Sequence, residues 1–560
     1  MRLLRVYIDG YRNLKDVTVD FDKDSLTTVV IGENGSGKSN LIEAIVEVFR
    51  AWDLGEQAQI RFNYDLRYRL NAYDVRLTNQ DGLKDIPPEF KGQPAPDNED
   101  GKIHLNVRKF IDSRTSRIRA LHLPDLIFGY YSGSSRRFES LFDDHQKAYY
   151  KEIIKNDKQV DFDQARSKRR LFFCRPIHGT FALLSQFVFL TPAIKRELEI
   201  GLKITGFHSA LAHFKQPSWF NYNRWRRENA KGQKAGQRGR ASHADILQYA
   251  DDHWLANGPA GACIANFRAQ SFFPLTVTGK VVDDYRRNPK EEGQLACFLR
   301  NGDALEGLRR TYKDDGELFA ALEAADISDL FREMIVWVTR TNDDTGDISF
   351  SDLSDGERQL LMVLGLIRVS RGKEALFLLD EPDTHLNPAW QLTYLDLIRE
   401  WTEVAADEDK CQIIMTTHNP LTIAALEAKE VRVMSSDEDG NVTVEPPRID
   451  PRGLGFAGVL TDIFGLSSSL DKPTQQKIDR RNELAAKANL TPELAKEFGE
   501  IKEELRHFGF LYEERDKLYS EFLRRLKDVE LAKVDPLTPE ELREREKETR
   551  RIVEDLMGKK

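Results

Sequence analysis

The pattern of apolar and polar positions predicts an α/β protein whose regular elements lie in two separate stretches of the chain. Short apolar or β-branched runs have the length and spacing of strands; they lie at residues 3–8, 17–21, 26–31, 126–131, 375–379, 412–416 and 431–434. Directly after the third run, residues 41–49 place apolar side chains on one face of a helix. A second strongly apolar helix is predicted to begin near residue 354.

Between these stretches, residues 137–340 show a weaker pattern. They hold no sustained heptad repeat and their glycines are irregularly spaced, so we expect a compact, mostly helical insertion and not a coiled coil. After Glu445-Pro446-Pro447 the chain is predicted to be almost entirely helical. Its apolar stripe, which can dock a partner or pack on this chain or a second copy, comprises Leu494, Phe498, Ile501, Leu505 and Phe508, then Leu518, Phe522, Leu526 and Val529.

The run between the third strand and its helix carries the first recognisable chemistry. Gly32-Glu33-Asn34-Gly35-Ser36-Gly37-Lys38-Ser39 fits G-x-x-x-x-G-K-[ST] at each constrained position. A strand that feeds a glycine loop into a helix N-terminus points backbone N–H groups and the positive end of the helix dipole at one spot. Lys38 can then reach the β- and γ-phosphates, and the Ser39 hydroxyl can coordinate Mg²⁺. The sequence therefore predicts a nucleotide phosphate site, which continues into Asn40.

A second helix N-terminus follows in the C-terminal half. Leu353-Ser354-Asp355-Gly356-Glu357 opens the apolar helix, so Ser354 and Gly356 lie at another end that attracts anions. Taken alone, this run is also typical of an ordinary helix cap. Its place before the next two motifs favours a functional role.

Two strands of the C-terminal half end in groups suited to hydrolysis. The strand at 375–379 leads into Asp380, which is placed to hold Mg²⁺, and Glu381, which can orient or deprotonate an attacking water. The strand at 412–416 leads into a polar turn with His418, which can sense the γ-phosphate. We expect Glu381 and His418 to be the catalytic residues.

In this order the motifs resemble those of the ATP-binding-cassette ATPases, over residues 1–40 and 348–435. The segments Asp383-Thr384-His385-Leu386-Asn387-Pro388 and Tyr11-Arg12-Asn13-Leu14 resemble the branch that holds the SMC, RecF and OLD-type proteins. The resemblance implies an ATPase head with a mixed sheet, ATP and Mg²⁺ as cofactors, and nucleotide contacts from Arg12 and Asn13.

The resemblance also implies a homodimer that holds ATP between its subunits. Lys38 and Asp380 of one subunit would bind the ATP, and the signature residues 353–357 of a second subunit would cap the same γ-phosphate. A helix N-terminus delivered in trans ties dimer closure to the presence of the γ-phosphate.

Cassette ATPases carry a glutamine after an early strand, and this chain offers no clear counterpart. Gln57, Gln59 and Gln80 lie in the right half, but none follows a clear strand. The strand end Tyr130-Tyr131-Ser132-Gly133 is the candidate for the equivalent place. The missing glutamine affects what we expect of the rate of ATP hydrolysis more than what we expect of ATP binding.

We expect four regions. They are an N-terminal ATPase lobe at 1–135, the mostly helical insertion at 136–345, a C-terminal ATPase lobe at 346–450 and a helical partner or oligomerisation region at 451–560. The length of 560 residues exceeds what one compact core supports.

A stand-alone ATPase of this size with a globular insertion is similar to the ATPase subunits of Septu-type anti-phage systems, which also occur with some retrons. That resemblance implies a defence role, a separate nuclease partner and a higher oligomer; nuclease activity is not expected in this chain. A RecF- or SMC-like ATPase that clamps DNA during repair is the alternative. A transporter ATPase is disfavoured by the large insertion and by His385-Leu386-Asn387-Pro388.

Two basic clusters lie in the insertion. The first is Arg166-Ser167-Lys168-Arg169-Arg170. The second mixes aromatic and cationic side chains, as binding of DNA or RNA, retron RNA or DNA included, would require; its basic members include Arg224, Arg226, Arg227, Lys231 and Lys234. A solvated loop is the alternative for this segment.

Composition narrows the setting. Lys and Arg total 83 against 92 Asp and Glu, a net charge of −9, so any nucleic-acid contact must come from a local patch. The 4 cysteines lack C-x-x-C spacing, which argues against a disulfide framework or zinc site and suits a reducing compartment. The first residues enter a predicted strand with no signal-peptide pattern, and the longest apolar run is too short to span a membrane. We therefore expect a cytoplasmic protein without membrane contact.

Overall fold

The computed structural model describes most of the chain, with gaps. The described residues are 1–56, 59–70, 73–79, 102–106, 123–133, 135–154, 169–220, 243–281, 286, 288–370, 373–405, 410–437, 439–464, 470–485, 491–507, 547 and 550–551. None of the helices in these ranges has both the length and the apolar character needed to cross a membrane.

The strands are β1 Arg2–Asp9, β2 Val17–Asp20, β3 Thr27–Gly32, β4 Asn63–Leu70, β5 Tyr73–Thr78, β6 Lys102–Asn106, β7 Leu126–Tyr131, β8 Leu171–Phe173, β9 Ile204–Lys215, β10 Leu275–Val281, β11 Lys290–Leu299, β12 Phe331–Arg340, β13 Asp343–Ser349, β14 Ala375–Asp380, β15 Cys411–Thr416, β16 Val431–Ser436 and β17 Val442–Glu445.

The α-helices are α1 Lys38–Leu54, α2 Asp143–Ile153, α3 Pro176–Val188, α4 Pro192–Leu202, α5 His243–Asp251, α6 Gly258–Gln270, α7 Gly302–Thr311, α8 Asp315–Ile327, α9 Asp355–Val369, α10 Pro388–Ala405, α11 Pro420–Ile423, α12 Gly455–Gly458, α13 Lys472–Ala485 and α14 Pro492–His507. Four 3₁₀ turns, at Glu139–Phe142, His253–Leu255, Phe350–Asp352 and Ala428–Glu430, and a π-helical turn at Val459–Ile463 complete the described helices.

A seven-stranded sheet positions the candidate site. Its strand order is β17-β16-β3-β15-β14-β7-β8, and all pairs except β16 and β17 are parallel. Strands β3, β14 and β15 are buried along their whole length, which explains why their sequences are continuous apolar runs. Because the carboxyl ends of parallel strands share one edge, the loops after β3, β15, β14 and β7 lie side by side. The predicted α/β class with a mixed sheet is confirmed.

A second, mainly antiparallel sheet covers the N-terminal part of the fold. Its order is β2-β1-β4-β5-β6. The apolar faces of β1 and β4 share a core with α1, in which the indole N–H of Trp52 donates to the Tyr64 hydroxyl at 2.9 Å. This packing holds the helix that follows the glycine loop.

The insertion contains a sheet that the sequence interpretation did not locate. Five antiparallel strands in the order β10-β11-β9-β12-β13 accompany the expected helices. The strand β9 mixes buried, half-buried and exposed positions without clean alternation, so its period-2 signal is weak.

Part of the first basic cluster is buried in ion pairs. Arg169 pairs with Glu323, and Arg170 Nε lies 3.1 Å from Asp53 Oδ1. The Arg170 side chain also donates to the carbonyls of Leu123 and Pro124, at 3.1 and 2.7 Å. These two arginines therefore stabilise the fold and do not belong to a solvent-facing patch.

Residues 466–560 form a separate compact unit. Within it α13 and α14 are joined by Arg480 Nε, which lies 2.8 Å from Glu497 Oε1, and each helix buries one leucine, Leu484 and Leu505. The other predicted stripe residues of α14 are half-buried on the same face. The continuation of the predicted stripe, residues 508–529, lies outside the described residues.

Candidate functional site

Glycines shape the loop between β3 and α1. Gly32, Gly35 and Gly37 have φ values of 153°, 86° and 104°, which side-chain-bearing residues rarely adopt. A Cβ on Gly32 would lie 2.0 Å from the Met434 carbonyl oxygen, and one on Gly37 would lie 2.9 Å from the Asn13 amide. The motif glycines are therefore required by the turn and by its neighbours.

Lys38 points back into this loop. Its Nζ donates to the carbonyls of Gly32 and Glu33, at 2.8 and 2.9 Å. Burial lowers the pKa of Lys38, and the charge of Glu381 opposes that shift. The Ser36 hydroxyl is buried, and no hydrogen-bond partner for it is found among the described residues. A curled loop with a buried ammonium group and an unpaired hydroxyl fits a phosphate chain.

Ser39 and Asp380 meet where α1 begins beside the end of β14. Asp380 is buried and accepts hydrogen bonds from the hydroxyls of Thr416 and Ser39. Burial raises the pKa of Asp380, whereas these two hydrogen bonds lower it. Across the described ranges, no group of three or more His, Cys, Asp or Glu could hold a metal ion. A Mg²⁺ ion at this pair would therefore share oxygens of a bound nucleotide and water.

Glu381 adopts a left-handed backbone conformation, with φ 55°. The Glu381 N–H donates to the Thr416 carbonyl at 3.1 Å and to the Thr416 hydroxyl at 3.2 Å. The Glu381 Oε1 lies 3.2 Å from His418 Nδ1, and both side chains are partly exposed. A non-glycine residue at positive φ costs of order 1–3 kcal/mol, and such residues cluster at functional sites.

Asp383, which the sequence interpretation did not single out, locks the loops after β14 and β15 together. Its carboxylate is buried and accepts from the Thr417 hydroxyl at 2.9 and 2.8 Å, and from the Thr422 hydroxyl. Burial raises the pKa of Asp383, and these hydroxyls oppose that shift. Thr416, Thr417 and His418 thus each contact the neighbouring loop.

We expect Asp383→Ala to lower kcat for ATP about tenfold or more with little change in KM, because the loop that carries His418 loses its anchor. Steady-state kinetics measures this split, and thermal unfolding shows whether the variant folds. Asp396→Ala, which removes an exposed carboxylate paired with Arg399, is the control. An unchanged kcat in folded Asp383→Ala would show that the anchor is dispensable.

Asn13 contacts the glycine loop, and Arg12 contacts the beginning of α1. Asn13 Nδ2 donates to the Gly35 carbonyl at 3.0 Å, and Asn40 Nδ2 donates to Asn13 Oδ1 at 2.6 Å. Arg12 Nη1 donates to Asn40 Oδ1 at 3.1 Å and pairs with Glu43 Oε2 at 2.8 Å. These contacts connect the turn after β1 to the first turn of α1.

The signature turn is a capped helix N-terminus. Ser354 N donates to Glu357 Oε2 at 2.8 Å, and Glu357 N donates to Ser354 Oγ at 3.3 Å. Arg340 Nη2 donates to Glu357 Oε1 at 2.5 Å. A Cβ on Gly356 would lie 2.7 Å from the His385 carbonyl oxygen, so this turn packs on the loop that follows Glu381 in the same chain.

The end of β7, the candidate for the place of the missing glutamine, lies beside the end of β14. Tyr131 pairs with Asp380 across the sheet, and Ser132 N donates to the Asp380 carbonyl at 3.3 Å. The Ser132 hydroxyl lies 3.5 Å from the Thr384 hydroxyl. Gln57 and Gln80 fall outside the described residues. Ser132 is thus a polar group beside the carboxylates in the place considered for the glutamine.

The remaining predicted residues lie in three places: the signature turn, the tip of the glycine loop and the basic segment. Leu353 is buried below the signature turn, whereas Asp355 is exposed and pairs with Arg358. Glu33 and Asn34 form the exposed tip of the glycine loop. The basic segment Arg224, Arg226, Arg227, Lys231 and Lys234 lies outside the described residues, so its nucleic-acid role stays a prediction.

Two protein-family models match this chain. Residues 1–166 match the "AAA ATPase domain" family, and residues 223–424 match the family described as "AAA domain, putative AbiEii toxin, Type IV TA system". Each covers less than half of the chain. The matches include the glycine loop in the first case and the Asp380–Glu381 pair in the second, which supports ATPase activity.

Similar sequences are found among proteins of known name. Septu protein PtuA of Bacillus thuringiensis is 32% identical over 143 residues, which is 22% of this chain and 34% of that protein. PtuA of Bacillus mycoides is 28% identical over 127 residues, or 21% of this chain and 17% of that protein. Chromosome partition protein Smc of Bacillus subtilis is 35% identical over 102 residues, or 16% of this chain and 8% of that protein.

This chain is also similar to proteins of solved structure. The SMC head domain from Thermotoga maritima has a TM-score of 0.29 and 12% identity, with coverage of 80% of this chain and 100% of that one. The chain spans about a third or less of the length of the named relatives it matches. The expected resemblance to PtuA and to SMC-type ATPases is confirmed over part of the chain.

Proposed function

We propose that this chain is the ATP-binding and ATP-hydrolysing subunit of an anti-phage defence complex, that it closes as a homodimer around ATP, and that it controls a separate nuclease. One observation carries the proposal: the glycine loop, the Asp380–Glu381 pair and His418 converge at one sheet edge in a chain that is similar to Septu protein PtuA. That similarity covers part of each protein, so the assembly and the partner belong to the proposal alone.

Within one subunit, each residue has a defined task. The loop N–H groups and Lys38 bind the β- and γ-phosphates, and Ser39 and Asp380 hold Mg²⁺. When bound, Mg²⁺ neutralises charge on the phosphate oxygens. Glu381 orients or deprotonates the attacking water. His418 Nδ1 lies 3.2 Å from Glu381 Oε1 and fixes this carboxylate near the γ-phosphate.

The second subunit supplies the signature turn. Ser354 and Gly356 present a helix N-terminus to the γ-phosphate, where the helix dipole favours negative charge. The close approach of Gly356 to the His385 carbonyl supports a mechanical link, because a shift of the signature turn acts on the loop after Glu381. Closure and hydrolysis would then be coupled, and the dimers would assemble further.

Two other parts of the chain are the candidates for contacts with the nuclease and with nucleic acid. The apolar face of α14, with Leu494, Phe498 and Ile501 half-buried, is the candidate docking surface for the nuclease. The basic segment at 224–240 is the candidate contact for DNA or RNA, retron nucleic acid included.

We expect Lys38→Ala to abolish protection against phage in a strain that carries the chain with its neighbouring genes, because the triphosphate loses its buried cation. Plaque counts at matched expression measure this effect. Lys23→Ala, which removes an exposed lysine after β2, should protect as well as wild type. Full protection by Lys38→Ala would contradict the proposal, as would a wild type that neither protects nor co-purifies with a nuclease.

The similarity to Smc of Bacillus subtilis favours a second candidate, an ATPase that clamps DNA during repair. On that account ATP-bound dimers would hold duplex DNA without any nuclease, and the neighbouring genes would serve repair. Copurification from the native host with nucleotide present, followed by mass identification, separates the two candidates.

A further inference from the structure

Two arginines from different parts of the chain converge on one buried carboxylate beside the glycine loop. Arg12 belongs to the turn after β1, and Arg137 to the turn after β7. Glu43 of α1, with 3% of its side chain exposed, pairs with Arg12 Nη1 at 2.8 Å and accepts from Arg137 Nε at 2.5 Å. The Tyr11 hydroxyl donates to the same carboxylate at 3.2 Å. The carboxylate therefore fixes both guanidinium groups.

A second shared acceptor sets their position relative to the loop. Asn40 Oδ1 accepts from Arg137 Nη2 at 2.9 Å and from Arg12 Nη1 at 3.1 Å. Asn40 directly follows Ser39 in the first turn of α1, where a helix N-terminus binds phosphate. The arginines contact α1 at Asn40 and Glu43, beyond Lys38 and Ser39, to which the β- and γ-phosphates and Mg²⁺ are assigned. They therefore lie beside the residue that follows those ligands, where the α-phosphate would be bound.

The charge balance leaves the pair available to an anion. One carboxylate faces two guanidinium groups, and their side chains are 38% and 48% exposed. Arg12 uses Nη1 for its contacts, and Arg137 uses Nε and Nη2. A guanidinium group has five N–H donors in a planar fork that matches phosphate oxygens. Each guanidinium group therefore has N–H donors that these contacts do not use.

The preceding residue has the opposite environment. Arg136 is 70% exposed, and it pairs with Glu139 at 3.2 Å and Asp143 at 3.2 Å. Two carboxylates thus face one arginine, and neither belongs to the glycine loop or to α1. Arg136 is a matched control for Arg137, with the same side chain one position away.

We propose that Arg137 is a nucleotide-binding residue that acts with Arg12 on the α-phosphate of ATP, and that Glu43 positions both arginines. The assignment rests on the proposed ATP site. It adds a nucleotide contact from the turn after β7, the strand that pairs with β14 and ends beside Asp380.

The test is the affinity of the full chain for ATP and for ADP, measured by titration calorimetry with Mg²⁺. Arg137→Gln is expected to weaken both affinities by about tenfold or more, the usual effect of losing a hydrogen bond to a charged group. Arg136→Gln should stay within about twofold of wild type, as is usual for exposed ion pairs. Because the α-phosphate is common to both nucleotides, a loss confined to ATP would overturn the assignment, as would unchanged affinity in folded Arg137→Gln.

A purely structural role for Arg137 predicts a different result in a double variant. If Arg137 only neutralises Glu43, then Glu43→Gln combined with Arg137→Gln should recover wild-type affinity, since no buried charge remains unpaired. We expect the double variant to bind ATP and ADP at least as weakly as Arg137→Gln, because Arg12 also loses the carboxylate that positions it. Recovery would overturn the nucleotide contact, and melting temperatures confirm folding. A wild type that binds neither nucleotide would instead refute the ATP site itself.

Discussion

Replacement of Glu381 by Gln is expected to lower kcat for ATP by at least about a hundredfold while leaving ATP affinity close to wild type. The amide has nearly the shape of the carboxylate but cannot accept the water proton. The backbone at φ 55° and its bonds to Thr416 do not depend on the side chain, so the loop should keep its conformation. The expected consequence is a long-lived ATP-bound dimer.

Phosphate release at saturating ATP measures the rate, and size-exclusion chromatography with and without ATP measures the dimer. Glu400→Gln, at an exposed position of α10, is the control and should hydrolyse ATP like wild type. If Glu381→Gln turned over ATP normally, Glu381 would not be the base. Elution that ignores both ATP and this substitution would count against closure around the nucleotide.

The groups that the sequence located are those whose chemistry is encoded locally. The glycine loop needs three residues at positive φ within six positions and a helix directly behind it, so its signal is contiguous. The Asp380–Glu381 pair and His418 each end a fully buried apolar strand, and parallel strands bring such ends to one edge. Their meeting therefore follows from local pattern and general topology.

The groups that the sequence did not locate depend on long-range partners. Arg136 and Arg137 are identical neighbours, yet only Arg137 meets Glu43, 94 positions earlier in the chain. Asp383 gains its importance from Thr417 and Thr422, which follow a different strand, β15. A one-dimensional pattern holds no information about which of several polar residues will be paired.

The same reason accounts for two features of the fold that the sequence pattern did not reveal. Arg169 and Arg170 form part of a basic run, but both are buried because Glu323 and Asp53 reach them from distant segments. The insertion sheet depends on antiparallel pairing of β9 with β11 and β12 at separations of 79 residues or more. Weakly alternating strands give little signal before such partners are known.

The loops of the site form one connected unit. Thr416 holds the Glu381 backbone, Thr417 holds Asp383, and His418 contacts the Glu381 carboxylate. The signature turn packs on His385 of the same loop. The loop that carries Glu381 and Asp383 therefore touches both the loop that carries His418 and the signature turn of the same chain.

The proposed shared site predicts the second large effect: two inactive variants should restore activity when they are mixed. Lys38→Ala removes the phosphate-binding lysine, and Ser354→Arg places a bulky cation at the signature turn, so each alone should lose nearly all ATP hydrolysis. In a mixed dimer one site combines both defects, whereas the other pairs an intact Lys38 with an intact Ser354. With random pairing, half of the dimers are mixed, and about a quarter of the wild-type sites are regained.

Activity is measured for each variant alone and for the mixture after subunit exchange, with different affinity tags to verify that mixed dimers form. Ser354→Arg also removes the hydroxyl that caps α9, which costs about 1 kcal/mol, so its melting temperature must be compared with that of wild type. If lysine and serine acted on ATP within one chain, every site in the mixture would keep a defect and no activity would return. If mixed dimers form and ATP hydrolysis does not recover, the signature turn does not act across the dimer.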